Sequence, residues 1–250
     1  MTSVQVFKQS GHLEKKLSLL KNCRVCIDAN IGAGKTTLCV SLERYLRSIG
    51  LKVELSVEDI DTKLKMLELF LNDNKKYAFA FQMMMLSERL NIYYLSAPEL
   101  SNGRSHIIDR SLGGDLAFAL NHHKAGNISN EEMEAYKQFL QKYHDNDYFK
   151  SPEYYVYLKV EPEKIMERIQ RRNRGSESSA YTEQYIKSIQ DCHTEAFEQL
   201  GIEFITVDWN QDYELDSSGL LSNEVCASVL DIILRARLRE LEQLREQIEI

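Results

Sequence analysis

The sequence is short of three features, and each shortage excludes a class of protein. No apolar run approaches the roughly 20 residues that span a membrane, so we expect no membrane segment. Prolines number only three, all where loops are expected, and the chain shows no repeat or low-complexity linker. Basic residues do not dominate, because 31 Lys and Arg face 38 Asp and Glu, giving a net charge of −7. Nucleic-acid binders are usually basic, so we expect a small-molecule partner and no nucleic acid.

The cysteines give no sign of an oxidising compartment. There are five, an odd number, and no secretory signal precedes them, which favours a reducing, cytoplasmic setting. Cys23 and Cys26 form a C-x-x-C, but they lie on an apolar run that predicts a strand. Residues three apart on a strand point to opposite faces, so we expect no metal or redox role for this pair.

The remaining composition suits an α/β protein. With 250 residues, 43% of them hydrophobic, the chain can form one large domain or two small ones. Apolar runs predict strands that alternate with helical patterns, which indicates a parallel five-stranded sheet with helices on both faces. In such sheets ligands bind beyond the carboxyl ends of the strands. The predicted strands cover 23–28, 52–58, 105–111, 154–160 and 203–209, and the predicted helices 35–50, 62–71, 77–96, 112–145, 162–174 and 181–199.

The C-terminal segment from 223 onward predicts one more helix. Apolar residues recur there at helical spacing, although Arg237 interrupts a strict heptad, so packing on the sheet is favoured over a coiled coil. We therefore predict a single domain over 1–235 and a helical extension over 236–250. The stripe consists of Leu230, Leu234, Leu238, Leu241, Leu244 and Ile248.

The stretch Asp28–Thr37, "DANIGAGKTT", is nearly a phosphate-binding loop. The pattern is G-x-x-x-x-G-K-[ST], and only Ala29 departs from it. Lys35 would reach the β- and γ-phosphates of ATP, and Thr36 would place its hydroxyl on Mg²⁺. If the position of Ala29 requires a positive φ, the alanine costs on the order of 1 kcal/mol. The alternative is a chance "GKT" at a helix start, which the preceding apolar strand disfavours.

Charged residues follow two further predicted strands. Glu58, with Asp59 and Asp61 after it, could accept the proton of an attacking hydroxyl. Asp109 and Arg110 suit a metal ion and a transferring phosphoryl group, respectively. Taken alone, each could be a solvated loop charge or a structural ion pair; their common position behind a phosphate loop favours function.

The segment 167–177 is rich in arginine. It could be a solvated basic face, or a lid over about 168–180 that closes on the transferring phosphates and neutralises their charge. The four arginines are Arg168, Arg171, Arg172 and Arg174.

Together these motifs resemble the deoxynucleoside kinase family of P-loop kinases. The resemblance covers about 22–215 and includes, in family order, "IDANIGAGKTT", Glu58, "YAFAFQ", "DRS", the arginine-rich segment and "VDWNQDY". It implies a P-loop kinase fold with an arginine-rich lid, and ATP- and Mg²⁺-dependent phosphorylation of a deoxynucleoside 5′-hydroxyl. It also implies a homodimer.

The resemblance also implies roles for individual residues. Glu58 is expected as the general base and Lys35 and Arg110 as further catalytic residues, with Thr36 and Asp109 on the metal. Gln82, Arg89 and Asp115 are expected to contact the base, and we call them the base-reading set. This set would favour deoxycytidine or a deoxypurine over thymidine. Glu177 is expected to hold the sugar 3′-hydroxyl. The expected ATP contacts are Asn30, Ile31, Gly32, Ala33, Gly34, Lys35, Thr36, Thr37, Arg172, Arg174, Asp212 and Tyr213.

The sequence departs from the family pattern in several places. A tyrosine for the 3′-hydroxyl would fall at Leu71, or at Phe70 with a one-residue shift, and neither side chain can donate that bond. Gly113 and Gly114 replace bulkier residues, which predicts a more open pocket. Three methionines, at 83–85, are expected to line or back the pocket, with Met85 touching the base.

Two alternatives remain beside the kinase of deoxynucleosides. One is a nucleoside monophosphate kinase of the thymidylate type, which shares the Asp-Arg pair and the lid. The other is a catalytically silent relative with a structural role. The presence of Lys35, Thr36, Glu58, Asp109 and Arg110 disfavours the silent relative, and the base-reading set disfavours the monophosphate kinase.

Overall fold

The computed structural model describes residues 17–58, 63–144, 146, 151–172 and 181–248. Its centre is a sheet of five parallel strands in the order β2-β3-β1-β4-β5. This arrangement confirms the predicted α/β class and the number of strands. The strands are β1 Arg24–Ala29, β2 Val53–Ser56, β3 Ser105–Asp109, β4 Glu153–Lys159 and β5 Phe204–Asp208.

Strand β1 is buried along its whole length because β3 and β4 flank it and helices cover both faces. Val25, Ile27 and Ala29 belong to one core cluster, and Cys26 belongs to a second cluster on the other side. Cys23 lies in the first cluster, so the two cysteines of the C-x-x-C face different cores, as predicted. Burial raises the pKa of both thiols, which stay protonated at neutral pH.

Helices cover the two faces of the sheet. The longest is α3, whose start is capped by the Asp73 carboxylate, which accepts a hydrogen bond from the Lys76 amide at 3.0 Å. The helices are α1 Lys35–Ser48, α2 Leu64–Asn72, α3 Asn74–Ser101, α4 Leu112–Lys124, α5 Asn130–His144, α6 Pro162–Arg172, α7 Glu183–Gln199 and α8 Asn223–Ile248.

Two sequence predictions about these helices were wrong. The region 112–145 is not one helix, because α4 ends at Lys124 and the chain turns through Gly126, whose φ is +73°. Pro98 lies inside α3 and not in a loop. A proline removes one helical hydrogen bond, a loss that a site only three residues before the helix end tolerates, since buried Tyr93, Ser96 and Leu100 anchor the same segment.

The C-terminal helix α8 runs without interruption from Asn223 to Ile248. Its buried residues Leu230, Ile233 and Leu234 join the core that also contains α1. The guanidinium of Arg237 lies 5.3 Å from the ring centre of Tyr154 on β4. The division at 235/236 thus falls within one helix and stays a prediction. In the described part of the chain, no helix has both the length and the apolar character needed to cross a membrane.

Candidate active site

A cavity of about 650 Å³ opens at the carboxyl ends of the strands, where the sequence predicted a ligand site. The loop between β1 and α1 forms one end of it. Side chains from the end of β2 and from α2, α3, α4, α6 and α7 form the rest.

The phosphate loop is shaped by two glycines. Gly34 precedes α1 with a φ of +93°, so the first amides of the helix are presented at its positive end. Gly32 has a φ of +74°, and a Cβ there would lie 2.6 Å from Cγ1 of Ile169. Asn30 fastens the loop, because its side-chain amide donates to the Ile186 carbonyl at 2.6 Å. Residues Asn30–Thr37 all line the cavity, and their contact with ATP stays a prediction.

Ala29 is an ordinary strand residue. It is the last residue of β1, pairs with Leu158 and is fully buried. The strand conformation needs no left-handed backbone, so the alanine carries none of the strain that a positive φ would cause. The departure at Ala29 therefore leaves the phosphate loop intact.

Lys35, Thr36 and Asp109 converge beneath the loop. The Lys35 ammonium forms an ion pair with Asp109, and the Thr36 hydroxyl donates to the other Asp109 oxygen at 2.5 Å. Burial and the nearby Arg110 lower the pKa of Lys35 to about 8, whereas the Asp109 carboxylate favours the charged ammonium. Asp109 is fully buried and does not line the cavity itself.

Glu58 and Arg110 lie next to this cluster and both line the cavity. The guanidinium Nε of Arg110 is 3.7 Å from Oε2 of Glu58. Burial alone would raise the pKa of Glu58, but Arg110, Arg89 and Lys35 outweigh it and hold the pKa at about 2. Glu58 is therefore ionised at neutral pH and able to accept a hydrogen bond from a hydroxyl.

Arg110 is held in an unusual backbone conformation, with a φ of +83°. The Asp28 carboxylate accepts a hydrogen bond from the amide of Ser111 at 2.9 Å, and the Arg110 amide donates to the Ile27 carbonyl at 3.0 Å. Its guanidinium lies 4.4 Å from the ring centre of Phe118. A non-glycine residue at positive φ is a form of strain that occurs at functional sites, and here it turns the arginine into the cavity.

Gln82, Met85 and Asp115, from α3 and α4, also line the cavity. Arg89 does not line the cavity but lies behind it, where its guanidinium contacts Asp115 at 3.1 Å and Glu58 at 3.1 Å. It also donates to the Asp109 carbonyl at 2.6 Å. Arg89 thus links Asp115 to Glu58 and to the backbone of Asp109, while its predicted direct contact with a base stays a prediction.

The arginine-rich segment has divided roles in the described part of the chain. Arg172, at the end of α6, lines the cavity. Arg168 instead donates to the carbonyls of Ala33 and Trp209, each at 3.0 Å, and so ties the phosphate loop to the segment after β5. The predicted Arg174 and Glu177 contacts fall outside the described residues, as do Asp59 and Asp61.

Asp212 and Tyr213, two of the expected ATP contacts, belong to a segment that lies beside α6. Asp212 forms ion pairs with Lys164 at 2.7 Å and with Arg168 at 3.2 Å. The Tyr213 ring lies 4.7 Å from the ring of Trp209. Neither residue lines the cavity, and their contact with ATP stays a prediction.

The two glycines after "DRS" do not open the pocket, so that expectation was wrong. A Cβ on Gly113 would lie 2.6 Å from Cδ1 of Phe197, and one on Gly114 would lie 2.0 Å from Oδ1 of Asp28. Both glycines therefore allow α4 to pack closely against α7 and β1. Neither lines the cavity.

Sequence reasoning missed most of the aromatic wall. Phe118 lies three positions after Asp115 on α4, and that helical spacing is a signal that could have found it. Met83 and Met84 do not line the cavity, although Met85 does. The additional lining residues are Val57, Leu67, Phe70, Phe81, Phe118, Tyr181 and Tyr185.

A parallel sheet with a phosphate loop and an acid-arginine pair beside one cavity is typical of the class of P-loop phosphotransferases. A family model described as deoxynucleoside kinase matches residues 25–233. A deoxyadenosine kinase of Dictyostelium discoideum is 28% identical over 203 residues, which are 80% of this chain and 77% of that relative. A deoxyguanosine kinase of the same organism is 30% identical over 206 residues, 80% of this chain and 68% of the relative.

A solved structure of deoxyadenosine kinase from M. mycoides with bound dCTP has the same fold, with a TM-score of 0.62 at 24% identity. The match covers 83% of this chain and 98% of that one. The chain belongs to the deoxynucleoside kinase family, whose members transfer a phosphoryl group from a nucleotide donor to a nucleoside hydroxyl.

Proposed function

We propose that the protein transfers the γ-phosphoryl group of ATP to the 5′-hydroxyl of a deoxynucleoside. The observation that carries the proposal is a single cavity that is lined by the phosphate loop, by Gln82 and Asp115, and by Glu58 and Arg110. Glu58 and Arg110 lie next to each other, with 3.7 Å between Oε2 and Nε. A nucleoside bound by Gln82 and Asp115 would direct its 5′-hydroxyl toward this pair.

The residues divide the chemistry between them. Glu58, ionised because its pKa is about 2, accepts the hydrogen bond of the 5′-hydroxyl and takes its proton as the oxygen attacks. The bond from this oxygen to the γ-phosphorus forms while the bond from that phosphorus to the β-bridging oxygen breaks, leaving ADP and a 5′-monophosphate. Lys35, Arg110 and the first amides of α1 stabilise the negative charge of the phosphates.

The residues around Asp109 fit a magnesium ion. Mg²⁺ prefers oxygen ligands and is usually held by one or two carboxylates together with phosphates and water. Thr36 and Asp109 supply one hydroxyl and one carboxylate 2.5 Å apart beside the phosphate loop. Among the described residues no group of three or more His, Cys, Asp or Glu side chains is arranged to hold a metal ion. When bound, the ion neutralises phosphate charge.

The acceptor in this proposal is deoxycytidine or a deoxypurine rather than thymidine. The Gln82 amide and the Asp115 carboxylate can together pair with an exocyclic amine and a neighbouring ring nitrogen. Arg89 holds the Asp115 carboxylate in place at 3.1 Å. Relatives named for deoxyadenosine, deoxyguanosine and deoxycytidine point the same way. We further propose a homodimer, as the resemblance implies, and a cytoplasmic location, as the odd number of cysteines favours. Sedimentation and cell fractionation can test the two.

A substrate panel tests the reaction. Purified protein with labelled ATP and Mg²⁺ is expected to phosphorylate at least one of deoxycytidine, deoxyadenosine and deoxyguanosine. Turnover of a nucleoside monophosphate alone would contradict the proposal and support the thymidylate-type kinase. A Glu58→Gln variant, which keeps the size of the side chain and removes the base, is expected to lose a factor of about 10² in kcat.

A double variant tests the choice of base. Arg89→Met with Asp115→Ala removes the acceptor for an exocyclic amine and the charge that holds it. The ratio of kcat/KM for thymidine to that for the preferred substrate is expected to rise about tenfold. An unchanged ratio would show that the base is read by other residues.

A further inference from the structure

One wall of the cavity carries two tyrosines with no assigned role. Tyr181 and Tyr185 both line the cavity, and their rings stack with centroids 5.4 Å apart at an angle of 16°. Tyr185 lies in the first turn of α7, where the Thr182 hydroxyl accepts a hydrogen bond from the Tyr185 amide. The backbone position of Tyr185 is therefore fixed by the helix start.

The hydroxyl of Tyr185 belongs to a short chain of polar groups. Its oxygen lies 3.3 Å from Nε2 of His122, and Nδ1 of His122 lies 3.3 Å from the Asn127 side-chain nitrogen. Burial lowers the pKa of His122 to about 4, so the ring is neutral at pH 7 and carries one hydrogen. In this orientation of the Asn127 amide its nitrogen donates to Nδ1, which assigns the hydrogen of the His122 ring to Nε2.

This assignment of hydrogens leaves the Tyr185 hydroxyl as a donor. Nε2 of His122 donates to the tyrosine oxygen, and the phenol keeps its own hydrogen because burial raises its pKa above the usual value. Within the ranges that the structure describes, this oxygen has no second hydrogen-bond partner. Phe70, which packs edge-on against His122 at 4.9 Å, closes the neighbouring wall with an apolar ring.

We propose that Tyr185 is a substrate-binding residue that donates a hydrogen bond to the sugar 3′-hydroxyl, with His122 and Asn127 as positioning residues. This inference rests on the proposed function. A deoxynucleoside has three polar edges: the base, the 5′-hydroxyl and the 3′-hydroxyl. Gln82 with Asp115 suits the first and Glu58 with Arg110 the second. Tyr185, on a different helix and held ready to donate, suits the third.

The test combines a variant with a change in the substrate. Wild-type protein and Tyr185→Phe are each assayed with a 2′-deoxynucleoside and with the 2′,3′-dideoxynucleoside of the same base. Wild-type kcat/KM is expected to fall about tenfold or more on removal of the 3′-hydroxyl, since one lost hydrogen bond leaves a buried donor unpaired. For Tyr185→Phe, kcat/KM is expected to fall about tenfold with the deoxynucleoside but less than threefold with the dideoxynucleoside.

Two further variants complete the design. His122→Phe removes the donor that orients Tyr185, and its loss of kcat/KM is expected to be confined to the deoxynucleoside in the same way. Tyr94→Phe, on the exposed side of α3, is the control and is expected to leave kcat/KM unchanged for both substrates. If His122 had a purely structural role, His122→Phe would lower kcat/KM equally for the deoxynucleoside and the dideoxynucleoside.

Each other outcome has a definite meaning. Equal losses with both substrates in Tyr185→Phe would overturn the inference while the proposed function stands, because the deoxynucleoside would still be turned over by the wild type. A wild type that does not distinguish the two substrates would likewise overturn it. A wild type that phosphorylates neither would overturn the proposed function together with the inference.

Discussion

Two groups of residues line the cavity, which we call its phosphate end and its nucleoside end, and they are built in different ways. The phosphate end comes from eight consecutive residues, Asn30–Thr37, and uses backbone amides of a loop and a helix start. The nucleoside end comes from side chains on α2, α3, α4 and α7, which meet only when the chain has folded. In the proposed function, the loop would bind the phosphates that all nucleotide donors share, and the side chains from the four helices would select the acceptor.

The largest effect is expected from a substitution that changes the phosphate end alone. Lys35→Ala should lower kcat by a factor of about 10² or more, since an ammonium that stabilises the transferred charge is lost. Binding of the deoxynucleoside alone, measured by calorimetry, should stay within about twofold because Lys35 belongs to the phosphate end. Lys52→Ala, an exposed residue just before β2, is the control.

The melting temperature of Lys35→Ala should be measured as well, because the change leaves buried Asp109 without its partner. A nucleoside affinity that falls as far as kcat would show that the two ends are not separable.

This difference explains how far the sequence could lead. The loop, the sheet and Glu58 were predictable because a contiguous pattern or a strand end specifies each of them. Most of the aromatic wall was not, since Phe70 and Tyr185 lie on α2 and α7, and no local pattern encodes how these helices pack. Arg89 illustrates the limit, because the sequence assigned it to the base, whereas its position behind Asp115 depends on how α3 and α4 meet.

An intermediate effect is expected from a change at Gly114, which packs against Asp28 and Arg110. A Cβ on Gly114 would lie 2.0 Å from Oδ1 of Asp28 and 2.8 Å from Cγ of Arg110. Gly114→Ala should therefore lower the free energy of unfolding by about 1–3 kcal/mol and also reduce kcat, since Arg110 must shift. Denaturant titration and steady-state kinetics measure the two effects.

Gly126→Ala is the matched variant for that experiment. Its φ is +73° and an added Cβ would meet nothing within 4 Å, so it should cost about 1 kcal/mol of stability and no activity. Normal activity in Gly114→Ala would show that Arg110 does not depend on this contact.

The smallest expected effect is the pH dependence of ATP binding. Phosphates favour the protonated ammonium, so affinity should be full below the Lys35 pKa of about 8 and fall as pH rises through it. The loss between pH 7 and 9 should be at most about tenfold. Lys35→Arg, whose guanidinium stays charged, should give a flat profile.

A flat profile in the wild type would show that the Asp109 ion pair outweighs burial and keeps Lys35 charged. That result would leave the role of the phosphate end unchanged, but ATP affinity would then not fall at alkaline pH.

The most direct test of the central claim is the position of the phosphoryl group in the product. Wild-type protein, ATP, Mg²⁺ and the preferred deoxynucleoside are incubated, and the product is examined by ³¹P NMR with coupling to the sugar protons. A cavity that places the 5′-hydroxyl between Glu58 and the phosphate loop predicts coupling to the two 5′ protons of a 5′-monophosphate. A 3′-phosphate, or hydrolysis of ATP without any nucleotide product, would contradict it.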